Sequence, residues 1–195
     1  MAIASSSTQL YTVEEYLDRE TQSDIRSEYR NGEIIPMTGG TPAHNKIISA
    51  LNALLWFGLR GQAFSLFASD QRLWIPNCNL YTYPDVMVVA NPLDLQAGRT
   101  DTVTNPILVA EVLSKSTKDY DRDEKFSAYR TIDTFTEYLL IDQYQQRVEQ
   151  YVRQEANQWL LTVHEGQAAS ISLASVPVEI TLTELYETVE LKSDG

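Results

Sequence analysis

Tyr83-Pro84-Asp85-Val86-Met87-Val88-Val89-Ala90 and Asn105-Pro106-Ile107-Leu108-Val109-Ala110-Glu111-Val112-Leu113 are two almost wholly apolar runs, each with a proline near its start. Runs of this length and composition read as short strands inside a sheet that is covered on both faces. Each carries one carboxylate. A charged side chain is rarely buried without a partner or a metal, so Asp85 and Glu111 pose the question that the rest of the chain must answer.

Asp85 opens its run and Glu111 lies near the end of its own. Antiparallel neighbours bring the two carboxylates together, whereas parallel ones part them by roughly 15 Å at about 3.3 Å per residue. A shared site therefore requires antiparallel pairing, with both side chains on one face of the sheet. Next, Ser114-Lys115-Ser116-Thr117 is a turn and helix-cap signal leading into a helix over 118–130. At helical spacing Arg122, Lys125, Phe126 and Tyr129 share a face, and the aromatics turn that face to the sheet. Lys125 then borders the buried side, where its stem can lie on apolar surface while its ammonium reaches towards Glu111.

Hard oxygen ligands with open positions suit Mg²⁺ or Mn²⁺, and the expected ligands are Asp85, Glu111 and the backbone carbonyl of Val112. Lys125 is the candidate cation beside them. Glu28 is the candidate fourth acid and His44 a contact to substrate or to the ligands. Each has a plainer competitor. Lys125 can simply pair with Asp121 four residues back, a contact worth about 0.3–0.5 kcal/mol. His44 can be a hydrogen-bonded core histidine, and Glu28 an outward strand residue. Glu111 is the hardest to dismiss, because the plain reading must find it a partner such as Arg122 or Lys125.

The order Tyr83-Pro84-Asp85-Val86, Glu111-Val112-Leu113-Ser114-Lys115-Ser116-Thr117, Asp121-Arg122-Asp123-Glu124-Lys125 resembles the Uma2 family, domain of unknown function 820, which is abundant in cyanobacteria. The resemblance runs from about Tyr11 to Leu191 and takes in Ser27-Glu28-Tyr29-Arg30-Asn31-Gly32-Glu33-Ile34, Pro42-Ala43-His44-Asn45, Ser69-Asp70-Gln71-Arg72 and Glu137-Tyr138-Leu139-Leu140-Ile141-Asp142. It implies a PD-(D/E)xK, restriction-endonuclease-like α/β fold and a Mg²⁺-dependent endonuclease acting on DNA. In that superfamily the lysine lies two residues after the second acid. Here that position is Leu113. The resemblance places the substitute on the following helix at Lys125, with Lys115 as the alternative.

The 195 residues, 43% hydrophobic and 22% charged, suit one domain over 10–191 behind a disordered Ser-rich tail, 1–9. The lone Cys78 fits a reducing cytoplasm, and no apolar run approaches the roughly 18 residues of a membrane span. A formal net charge of −12 opposes tight binding of DNA phosphates. It favours a second reading, a non-catalytic binding or assembly module that keeps the nuclease fold, with a homodimer expected in either case. No zinc-type Cys/His cluster, phosphate loop or Gly-x-Ser-x-Gly turn offers a rival chemistry.

Local signals fill in the remainder. Thr12 and Glu15 form a capping-box pattern, Asn31-Gly32 marks a hairpin within Arg26–Met37, and Thr41-Pro42 opens the longest helix. Ala63–Ala68 and Gln71–Ile75 read as strands, Pro76–Asn79 as a loop, and Pro92–Asn105 as the long connection between the two central strands. Past the lysine helix, Phe135–Asp142 reads as a buried strand. Two alternating strands follow around Arg147–Arg153 and Trp159–Val163, and a short helix lies over Ile180–Tyr186. The expected architecture is a mixed central sheet flanked by helices, with an antiparallel extension in the C-terminal half.

Overall fold

A computed structural model describes residues 9–191, so the expected disordered tail lies outside the described residues except for Gln9. The local signals of the first third hold. Thr12 and Glu15 close a reciprocal capping box at the start of α1 (Val13–Gln22). β1 (Ser27–Arg30) and β2 (Glu33–Pro36) pair about Asn31 and Gly32, whose φ angles of 49° and 100° give the two-residue turn its hand. Thr41 accepts a hydrogen bond from the His44 N–H and Pro42 fills the first turn of α2 (Pro42–Leu59). Ile47, Ile48, Leu51 and Leu55 are the buried stripe of that helix.

Five strands follow: β3 (Phe64–Ala68), β4 (Arg72–Ile75), β5 (Leu80–Thr82), β6 (Val86–Ala90) and β7 (Thr102–Val103). Beyond them β8 (Pro106–Leu113) leads into two single-turn helices, α3 (Lys118–Tyr120) and α4 (Phe126–Tyr129), joined by a π-helical turn at Asp121–Lys125. The C-terminal part holds β9 (Glu137–Asp142), β10 (Arg147–Glu155), β11 (Gln158–Glu165), β12 (Ser170–Ser172), β13 (Glu179–Thr181) and α5 (Leu182–Leu185).

The central six-stranded sheet has the order β11-β10-β9-β8-β6-β3, mixed because β8 and β9 run parallel while its other neighbours are antiparallel. β6 and β8 pair antiparallel with Val86 opposite Ala110, so one step further out Asp85 stands opposite Glu111. Side chains of Val86, Val88, Leu108, Ala110 and Val112 pack beneath α2, α5 and the β12–β13 hairpin. Met87, Val89, Val109 and Leu113 turn the other way, against Tyr129 of α4 and Leu73 and Ile75 of β4. Alternation puts Asp85 and Glu111 together on that second face.

A five-stranded sheet of order β2-β1-β5-β4-β7 covers part of the second face. Two of its strands were not expected, β5 in a stretch given no element and β7 within expected loop. β5 pairs with β1 and β4, and β7 pairs parallel to β4 inside the long connection. Three and two residues carry no readable alternation, and both strands exist because distant partners supply their hydrogen bonds.

The lysine helix is corrected as well. The inward residues are Asp121, Lys125, Ala128 and Tyr129, while Arg122 reaches Glu149 at 2.8 Å and Phe126 stacks on Tyr138. Arg122 and Phe126 therefore flank the buried face instead of forming it. The last helix starts at Leu182, because Glu179–Thr181 is paired with β12. Among the described residues no helix is long and apolar enough to cross a membrane.

Candidate active site

Asp85 follows a proline and precedes the first ladder residue of β6, which leaves its side chain free to bond across to β8. Its Oδ2 accepts from the Val112 N–H at 2.8 Å, while its own N–H donates to Glu111 Oε2 at 3.3 Å. The strands are thus stapled by the acids themselves. The N–H and C=O of one strand residue point to the same edge, so the Val112 carbonyl also faces the Asp85 side. Glu111 is buried, and its Oε1 accepts from Lys125 Nζ at 3.1 Å and from the Tyr129 hydroxyl at 2.7 Å.

Lys125 Nζ also lies 3.2 Å from Glu28 Oε1 and 3.6 Å from Asp121 Oδ1. Glu28 comes from β1, where Thr82 of neighbouring β5 donates its hydroxyl at 2.5 Å. His44, in the first turn of α2, places Nε2 at 3.1 Å from Asp85 Oδ2. Gln143 ties these parts together: its amide donates to the Leu113 carbonyl at 2.7 Å and accepts from the Thr41 hydroxyl at 2.5 Å. The cap of the histidine helix is thereby fastened to the end of β8.

Three carboxyl groups, Glu28, Glu111 and Asp121, surround the Lys125 ammonium, and a fourth, Asp85, lies between Glu111 and His44. Burial, reinforced by the charges of Asp85 and Asp121, outweighs Lys125 and pushes the Glu111 carboxyl up to about 8. Asp121 is raised for the same first reason, burial. Glu28 goes the other way: burial would raise it, but Lys125 and the Thr82 hydroxyl hold it below the usual carboxylate range. Burial likewise opposes the charge on Lys125, and Glu111, Glu28 and Asp121 overcome it, so the amine stays protonated. His44 is raised because its bond to Asp85 outweighs burial.

These groups form the floor of a cleft of about 580 Å³ between the Pro36–Thr41 segment and the Ser114–Glu124 segment. Lys115 stands outside it, exposed, with Nζ 5.6 Å from the centre of the Tyr144 ring. Of the two lysines, Lys125 is the one beside the acids. All five side chains singled out from the sequence, Asp85, Glu111, Lys125, Glu28 and His44, meet here. Sequence reading left out Asp121, Tyr129, Thr82 and Gln143 as members of the cluster. In the sequence Asp121 stood only as an ordinary helix partner of Lys125 and Tyr129 only as a packing residue, and Thr82 and Gln143 carried no signal.

A mixed sheet whose two central antiparallel strands bring two acids to one end, with a lysine beside them, defines the restriction-endonuclease-like class of folds. The sequence model of the Uma2 family, described as "Putative restriction endonuclease", matches residues 13–184, and the chain belongs to that family. It is 42% identical over 173 residues to the uncharacterized protein sll1609 of Synechocystis sp., covering 89% of this chain and 98% of the relative. A second Synechocystis protein, slr1290, is 32% identical over 173 residues, covering 89% of this chain and 90% of its own length. The crystal structure of "a putative nuclease belonging to DUF820" from Anabaena variabilis superposes with a TM-score of 0.73 at 18% identity, covering 91% of this chain and 98% of that one. That likeness establishes the fold.

Proposed function

We propose that this protein is a Mg²⁺- or Mn²⁺-dependent endonuclease that hydrolyses DNA phosphodiester bonds. The observation that carries the reading is the meeting of Asp85, Glu111 and Lys125 at one end of the two central strands. A divalent ion fits the residues present. The donors are all hard oxygens, and Asp85 Oδ1 accepts no hydrogen bond among the described residues. Asp85, Glu111 and the Val112 carbonyl would hold the ion. Among the described residues no three His, Cys, Asp or Glu side chains are placed to hold a metal ion between them, so two carboxyl groups, one carbonyl and water would make up the whole ligand set. When bound, such an ion supplies Lewis acidity towards the phosphate and lowers the pKa of its water.

The chain's own groups do the rest. Lys125, protonated and fixed by Glu28 and Asp121, points its ammonium at the Glu111 carboxyl group and stabilises negative charge growing on the phosphate. Tyr129 holds Glu111 Oε1, leaving Oε2 turned to Asp85. His44 steadies Asp85, and its raised pKa lets it donate a proton near neutral pH.

One observation favours the second reading, a binding or assembly module: Lys125 already spends its ammonium on three carboxylates, as a purely structural lysine does. Thermal melting with and without Mn²⁺, beside cleavage assays, separates the two. A melting temperature raised by Mn²⁺ in wild type but not in Asp85→Ala or Glu111→Ala, together with cut DNA, supports the nuclease. No shift and no cleavage of any DNA form leaves the module.

A further inference from the structure

Seven Asp and Glu side chains line the cleft, against Arg30 and Lys125 as its permanent cations. The reacting groups are also recessed: the side chains of Asp85, Glu111 and Lys125 are 17%, 4% and 8% exposed. A volume of about 580 Å³ is that of a pocket enclosing a small molecule, roughly 300–1,000 Å³. A phosphodiester must therefore leave the bulk of its polymer to reach the floor, past a lining of its own sign.

Duplex DNA meets neither condition. It is stiff, and it carries one charge for every ~1.7 Å of axis, about twice the density of either strand alone. Bringing its scissile phosphate to Asp85 forces the paired strand and further phosphates onto the acidic rim. A single strand bends one phosphodiester inward and leaves its neighbours in solvent. Arg30 is the cation nearer the mouth: its guanidinium lies over the Tyr120 ring at 3.9 Å, pairs with Glu124 at 3.0 Å, and leaves 29% of the side chain exposed.

We infer that the cleft admits single-stranded or frayed DNA, one phosphodiester at a time, and excludes intact duplex, with Arg30 holding a phosphate next to the one at Asp85. The chemistry rests on the nuclease reading, but the preference for one strand is a matter of binding and is measured separately. Fluorescence anisotropy with a labelled oligonucleotide, single-stranded and as a blunt duplex of the same sequence, is run in Mn²⁺ and in EDTA. In parallel, cleavage of both forms is followed in Mn²⁺. The single strand binds at least about tenfold more tightly, a difference of about 1.4 kcal/mol. Arg30→Gln weakens that binding several-fold with an unchanged melting temperature, and Arg30→Lys restores most of it. Equal or tighter duplex binding, no single-strand binding, or faster duplex cleavage overturns the inference. Single-strand preference without any cleavage keeps it and removes the nuclease reading instead.

Discussion

Lys125 joins carboxylates from three places in the chain: Glu28 of β1, Glu111 of β8 and Asp121 of its own π-helical turn. Removing one member of a buried ion pair costs about 3–5 kcal/mol, so Lys125→Met is expected to melt far below wild type at neutral pH. An unchanged melting temperature would mean that the network contributes nothing to the fold. Glu111 acts with the opposite sign. Its folded pKa of about 8 lies above the ordinary 4.5, so folding is favoured by its proton. That contribution is complete below pH 4.5 and is lost as pH rises through 8. Metal-free wild type should therefore lose stability across this window while Glu111→Gln, which cannot ionise, holds steadier; superimposable pH–melting curves for the two would contradict it. Asp85 and Glu111 were legible in the sequence because each is the lone carboxylate of an apolar run. Asp121 was not, because an acid four residues before a lysine on a helix is ordinarily a solvated pair, and only the packed fold buries it.

Elements closed by local chemistry were readable. The Asn31-Gly32 hairpin, the capping box of α1 and the Thr41-Pro42 start of α2 are decided by neighbours in the chain. β5 and β7 were missed because their partners, β1 and β4, lie far away in sequence. The π-helical turn was missed because nothing in Asp121–Lys125 distinguishes it from an α-turn before packing. Thr41 shows how a local signal serves the site, since its hydroxyl both caps α2 and bonds Gln143. Thr41→Ala is expected to cost about 1 kcal/mol in chemical denaturation. It should also loosen the first turn of α2, so that the raised pKa of His44 falls back towards 6.5 when followed by NMR. A His44 titration identical to wild type would show that the cap does not position the ring.

At the scale of the molecule, a net charge of −12 bears on the proposed binding of DNA. Few cations are available for phosphates, so few counterions are released on binding. With one or two phosphate contacts, the slope of log affinity against log salt is expected to be about −0.7 to −1.4 for a single strand. A slope several times steeper, measured by titration across salt concentrations, would reveal a basic surface absent from the described residues. The cleft floor is also the seam between the two larger sheets, since Glu28 belongs to one and Glu111 to the other. An ammonium that needs only to reach this seam can be delivered from any bank around it. Its address along the chain is then less constrained by the geometry than its destination. Distant kin of this protein are better sought by matching constellations in space than by counting residues between motif letters.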